Sequence, residues 1–448
     1  MIKRLSFLWL LAAGLLLSCS KGTSTSVTYD TTDATVKTFS LAAQDSFPGL
    51  GSAVFTVDNR LDTGLIAPKD GDSLLYGTPL DSVVPRVTFN SRPSAAIYYV
   101  GDTSFVYTGY DTIDLTQQPV YLRVYAANRK DEKYYRIEAY AHQTDPYLYH
   151  ADTLQTQLVS PARTMQVLHR KDGFFAFLSD GYTVGMTQSA DAVTWTDEQA
   201  VSGLPQNTAV RQIVTDSLSS DFCYLADTSM YRSKDGANWT ATTLTFPVSP
   251  FKIEATLFAF ADRLWFVASS AEELYLACYN TEDEQVTIQQ TLPSDFPVSD
   301  FAIVVFRSVS GSPTALLIGG FDREGRMPAA GWSLEEASNG FRLLNLGSSR
   351  YTQSSIAGSA LVRYADRLIR FGGLLADGSV SGVYESESEG LFFVAADTAH
   401  LPVPEGFAPR YRQSAVVVGD YIYLIGGQDH SRYYSDVYRV RLNSINWK

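Results

Sequence analysis

Three runs of this chain end in the same way. "LLIGG" (316–320), "RLIRFGG" (367–373) and "IYLIGG" (422–427) are apolar, strand-like stretches that each stop at a glycine pair. A strand that ends so abruptly needs a sharp turn and room for a second backbone, and glycine supplies both because it has no Cβ. Three copies indicate a repeated unit rather than a single turn. A phosphate-binding loop is excluded, because no Lys-Ser/Thr pair and no helix follow the glycines.

Other signals extend the repeat. "ADRL" occurs at 261–264 and again at 365–368. Asp172, Asp262, Asp366 and Asp420 sit at equivalent hairpin turns, and weaker turns near 219 and 311 fill the gaps. The spacing fits six units of about 45 to 54 residues. "SADAVTW" (189–195) and "SKDGANW" (233–239) both read Ser-x-Asp-x-x-x-Trp and resemble the Asp-box of β-propellers, in which Asp and Ser close a turn and Trp packs between blades. The Gly-Gly units resemble kelch repeats, with Trp332, Tyr384 and Tyr438 following the glycines and Trp447 closing the last unit.

Before the repeats lie short strand-like runs, "VKTFSL", "SAVFTVD", "PRVTFNS" and "AAIYYVGD", bounded by Gly, Pro, Asp and Asn. In "VYLRVYAANRKDEKYYRIEAYA", Val120, Leu122 and Val124 alternate with polar or aromatic neighbours. Tyr135, Ile137 and Ala139 do the same past a polar turn, which predicts a hairpin with one buried face. Aromatic residues make up 13% of the chain, including 27 Tyr and 24 Phe, and favour strands. At 448 residues the chain is too long for one typical core. The expected fold is all-β, an N-terminal β-sandwich followed by a six-bladed kelch-like β-propeller. The expected divisions are 1–18 signal peptide, 19–27 lipidated tether, 28–146 immunoglobulin-like β-sandwich and 150–448 propeller.

The last unit runs out of chain on its third strand. An open sheet edge leaves backbone groups unpaired, so its outer strand is expected from upstream, with residues in "DTLQTQLVS" (152–160) pairing antiparallel with the stretch around 436–447.

The first residues carry an address. Lys3 and Arg4 precede an apolar run from Leu5 to Leu17 that is too short to span a bilayer. Leu16, Leu17, Ser18 and Cys19 resemble the lipobox of bacterial lipoproteins, which implies cleavage before Cys19 and acylation there. Acyl chains hold a protein to a membrane by burying methylenes. Ser20, rather than Asp, implies passage to the outer membrane. Periplasmic and surface-facing orientations both stay open. Cleavage removes Lys3 and Arg4 and makes a net charge of −13 more negative by two. A chain this acidic is repelled by nucleic acid. Cys223 and Cys278, in "DFCYLAD" and "LYLACYN", read as small buried hydrophobes, with a disulfide in an oxidising envelope as the alternative.

The stretches "GLGSAVFTVDNRLDTGLI", "DSLLYGTPLDSVVPRVTF" and "RYRQSAVVVGDYIYLIGG" resemble a family of Gram-negative outer-membrane lipoproteins. That family joins an immunoglobulin-like sandwich to a kelch-like six-bladed propeller. The resemblance implies architecture and address but no activity.

Catalytic patterns are weak. The five histidines, at 142, 150, 169, 400 and 430, lack the spacing of zinc ligands, and no metal or cofactor is expected. "GSVSG" (378–382) has Val380 where a nucleophile elbow needs Ser. The acidic pair Glu335–Glu336 and the run "ESESEG" read as solvated turns rather than glycosidase acids. One pattern points to a ligand. Arg163, Arg211, Lys252, Arg350, Arg410 and Arg412 fall just before the innermost strands of successive units, and Asp300 breaks the series in the fourth. These cations are candidates to ring one mouth of the propeller channel, where Arg211 and Arg412 would share a cavity. The leading functional expectation is non-enzymatic recognition of a carbohydrate or protein, anchored to the membrane through Cys19. The alternative is a glycan-active enzyme, sialidase-like or a sugar epimerase, working at the channel mouth.

Overall fold

A computed structural model describes residues 30–443, apart from 46, 70–73, 156–157, 159–162, 248–249, 261, 338–339 and 348–353. The signal segment, Cys19, Arg350 and Trp447 lie outside the described residues. Among the described residues there are strands and short 3-10 turns but no α-helix. The chain divides into two compact units, one ending at Asp145 and one beginning at Pro146.

The first unit holds a two-stranded sheet, Val36–Leu41 with Pro85–Phe89, and a six-stranded sheet. The expected hairpin, Val120–Tyr125 with Glu132–Ile137, lies at the centre of the larger sheet. Its alternation is the cause of its burial: Val120, Leu122, Val124, Tyr135 and Ile137 are all fully buried. Thr63–Pro68 joins this sheet parallel to Glu132–Ile137, a pairing that no local pattern announces. The Tyr135 hydroxyl accepts from the Val36 amide at 2.8 Å and donates to Asn59, so the one phenol ties the two sheets. Burial pushes its pKa up to about 12.

Among the described residues the second unit contains six four-stranded antiparallel sheets, the arrangement of a six-bladed β-propeller. Their innermost strands are Thr164–Arg170, Val214–Thr215, Lys252–Phe260, Ala302–Arg307, Ala360–Tyr364 and Ser414–Val418. All six border one cavity of about 470 Å³, the central channel. Each pair of neighbouring sheets encloses its own core. Phe177 meets Phe222 and Trp239 between the first and second sheets. Ile425 and Val437 of the sixth pack with Met165 and Val167 of the first. The sixth sheet takes its outer strand from Tyr149–Gln155, antiparallel to Val437–Leu442. The expected pairing is thus present over 152–155 and begins earlier, at Tyr149.

The glycine pairs explain themselves in this frame. Both members of Gly319–Gly320, Gly372–Gly373 and Gly426–Gly427 have positive φ, between 59° and 113°. A Cβ on Gly319 would stand 2.0 Å from the Ile356 carbonyl, and one on Gly426 would stand 2.0 Å from the Met165 methyl. Each pair therefore turns the second strand away and admits the segment leading into the next sheet. The first two sheets carry the Asp-box turns instead. Asp191 accepts from the Val193 and Thr194 amides, and Trp195 donates back to the Ala192 carbonyl. Asp235 and Trp239 repeat the pattern. A third, degenerate copy begins inside "ESESEG" and runs from Ser386 to Phe392, where Ser388 Oγ accepts from the Phe392 amide. Ala192, Gly236 and Glu389, equivalent in the three turns, all have positive φ.

Candidate functional site

A pocket of about 330 Å³ lies where the segments leading into the innermost strands converge. Its walls include Asp180, Thr208, Arg211, Asp300, Arg412 and Tyr433. Arg211 also borders the channel, so it stands between the two spaces.

Three of these side chains form one ionic group drawn from alternate sheets. Arg412, before the sixth sheet, grips Asp300, before the fourth. Its Nε donates to both carboxylate oxygens at 3.1 Å and its Nη2 to Oδ2 at 2.5 Å. Burial lowers the Arg412 pKa, but these bonds outweigh it and hold the net shift upward. Arg211, before the second sheet, donates through Nη1 to the carbonyls of Arg412 and Gln413, at 3.0 and 3.4 Å. Its Nε is 3.7 Å from Asp300. Burial pulls the Arg211 pKa down and the nearby Arg412 charge adds to that, against the pull of Asp300.

The backbone here is shaped by the repeat. Asp300, Gly358 and Arg412 stand at equivalent places before three successive sheets, with φ of 50°, 66° and 56°. They are linked in series, Gly358 N–H to Asp300 O and Arg412 N–H to Gly358 O, each at 2.6 Å. Glycine meets this left-handed geometry without strain, whereas Asp300 and Arg412 adopt it at a cost.

The other candidates go elsewhere. Arg163 pairs with Glu198. Lys252 is 3.9 Å from Asp227 with both side chains mostly exposed, a contact of little strength. Arg410 is 2% exposed and pairs with Asp436, while its guanidinium carbon lies 4.2 Å from the Phe407 ring and 3.7 Å from the Tyr434 ring. That aromatic box is an internal structural joint. The mouth is therefore not ringed by cations from every sheet: of the described candidates only Arg211 and Arg412 line the pocket. Asp300, which in sequence only interrupts a series, proves to be the partner that joins them. Asp180 and Tyr433 carried no signal beyond their turn-rich surroundings.

The two carboxylates in the pocket are both engaged. Asp300 is held by the arginines. Asp180 accepts from the Tyr182 and Thr183 amides and from the Thr183 hydroxyl, and these bonds, the amide of Thr183 first, bring its pKa down to about 2. Tyr182, next to Gly181 of the pocket wall, is 82% exposed. Cys223 and Cys278 are buried free thiols. Among the described residues no group of His, Cys, Asp and Glu could hold a metal ion.

Residues 151–448 match the model of the DUF6242 beta propeller domain, and residues 22–139 match the domain of unknown function (DUF6242) N-terminal domain. The chain belongs to the DUF6242 family. The propeller match starts within the outer strand Tyr149–Gln155, so the family's propeller unit includes the upstream strand. A solved structure titled "Structure of YjhT" is similar at 12% identity, over 63% of this chain and 96% of that one, with a TM-score of 0.45. No curated protein matches the chain.

Proposed function

We propose that this DUF6242 protein is a non-enzymatic recognition module of the cell envelope that binds a carbohydrate in the pocket at the propeller mouth. The carrying observation is the pocket itself. Charged planar groups, hydroxyls and an aromatic ring converge on one space of about 330 Å³, and sugars are recognised by such planar polar groups together with aromatic faces. Catalysis is the weaker reading because a glycosidase needs a carboxyl group able to hold and release a proton. Asp180, at about 2, is ionised throughout the physiological range, and Asp300 is clamped by Arg412.

In this reading the lipobox anchors the protein to the outer membrane through Cys19. The propeller face then presents the pocket, and the N-terminal unit serves as a spacer. A glycan array and a parallel hydrolysis screen on the full chain test the ligand assignment. Retention of a glycan without turnover is expected, and turnover of any bound glycan would replace binding with catalysis. Cys19→Ala tests the address: the variant is expected to lose acyl labelling and leave the membrane fraction, and retention after a high-salt wash would refute the anchor.

A further inference from the structure

In the mouth pocket two arginines turn to one carboxylate, while the second carboxylate, Asp180, is engaged in its own turn. Arg163, Lys252 and Arg410 each have a carboxylate partner of their own, Glu198, Asp227 and Asp436. Arg211 and Arg412 share Asp300. Arg412 takes both of its oxygens in hydrogen bonds, which leaves Arg211 with carbonyls and a 3.7 Å approach. Arg211 Nε is buried and makes no hydrogen bond among the described residues. A buried donor of a charged group that lacks an acceptor is costly, and the cost is removed by any acceptor that reaches it. Asp180 accepts its bonds from inside its own turn and none from Arg211 Nε among the described residues.

The backbone adds a second, independent reason. Gly358 meets the left-handed bend before the fifth sheet with no side chain at all. The same bend before the fourth and sixth sheets carries Asp300 and Arg412, strained but aimed at one another across the mouth. Strain held at two equivalent places, where glycine serves at a third, marks the side chains as what is retained.

We infer that the pocket is built for a ligand carboxylate, and that the carbohydrate it takes is an acidic sugar. This rests on the recognition reading above. The ligand carboxylate supplies the second anion for the two guanidinium groups, bound by charge-assisted contacts in the fork geometry that arginine offers and lysine does not. The sugar ring then lies toward Tyr433 and the hydroxyl of Thr208. Asp300 is at once the organiser of the arginines and the competitor of the ligand.

The test is calorimetric titration of the full chain with glucuronate, galacturonate and N-acetylneuraminate. Glucose, galactose and N-acetylglucosamine serve as neutral counterparts, and acetate as a bare carboxylate. At least one acidic sugar is expected to bind roughly tenfold or more tighter than every neutral one, the worth of one charge-assisted contact. Arg412→Lys should abolish that preference while keeping the charge. Asp300→Asn, which removes the competitor, should tighten acid binding severalfold, whereas a merely structural triad would lose stability with no gain in affinity. Neutral sugars binding as tightly as acidic ones would overturn the carboxylate inference and leave the recognition reading standing. Binding of acetate alone, lost in Arg412→Lys, would uphold the carboxylate site and overturn the sugar. Binding of none of these probes would overturn the inference.

Discussion

Gly372 lies against the carbonyl oxygen of Arg410 so closely that a Cβ on the glycine would fall 1.8 Å from it. The contact joins the end of a strand in the fifth sheet to the segment that leads into the sixth, and the amide of Gly373 donates to the same oxygen at 3.1 Å. The obstacle is backbone, which cannot rotate aside. Gly372→Ala is therefore expected to destabilise the propeller by more than about 3 kcal/mol, at the severe end for single substitutions. Gly378→Ala is the control: its φ is also positive, at 84°, but nothing lies within 4 Å. It should cost only about 1 kcal/mol. Urea denaturation of the two variants checks the difference, and equal losses would show that dihedral preference rather than close approach selects the glycines.

The strand Tyr149–Gln155 supplies the outer edge of the sixth sheet. Tyr149 is buried with Ile422, Leu424 and Val440, and Asp152 pairs with Arg439 at 2.8 Å. A chain starting at Pro146 should unfold in one cooperative thermal transition followed by circular dichroism. A chain starting at residue 156 should not, because the sixth sheet would be left with an open edge. Tyr149→Ala should cost about 3–5 kcal/mol through the cavity left in that core.

Asp235 reports on the Asp-box turn through pH. Burial raises its pKa, but bonds from the Asn238 amide and side chain, Ser233 and the Ala237 amide outweigh it and bring the value down to about 2. An unfolded Asp titrates near 3.9. The turn's contribution is thus complete above about pH 4 and is lost as pH falls toward 2, because the unfolded chain takes up the proton first. Asp235→Asn should flatten the slope of stability against pH across that window, measured by urea titration. An unchanged slope would mean that other carboxylates govern acid unfolding.

Cys223 titrates in the opposite sense. Burial pushes its thiol up to about 11, against the pull of Arg232. The unfolded thiol ionises near 8.5 while the folded one stays protonated, so this contribution to stability falls as pH rises from about 9 toward 11. In the Cys19→Ala chain, neither Cys223 nor Cys278 should react with a thiol reagent at pH 8, and both should react in guanidinium. Reaction in the native state would contradict the burial of both residues.

Much of the propeller could be read locally. Gly-Gly at a strand end, the Ser-x-Asp-x-x-x-Trp turns and the hairpin aspartates are short-range devices whose chemistry is complete within a few residues, so their spacing revealed six units. The degenerate turn at Ser386–Phe392 carries no such signature, because Ser388 replaces Asp and Phe392 replaces Trp, although the same bend forms. The parallel pairing of Thr63–Pro68 with Glu132–Ile137 left no trace in periodicity, since parallel and antiparallel neighbours bury the same alternate residues.

The site divides along the same line. That basic residues recur before the innermost strands follows from the sequence alone, because the repeat puts them at equivalent places. Which of them meet was decided by the tertiary structure. Asp300 and Arg412 are 112 residues apart and Arg211 reaches the Arg412 carbonyl across 201, yet the arrangement of sheets around one channel brings alternate members to a single pocket. Arg410, two residues from Arg412, turns instead into the ring faces of Phe407 and Tyr434. A periodic sequence specifies that positions are equivalent. The direction of each side chain, and so its partner, depends on backbone bends and neighbouring sheets that exist only in the assembled fold.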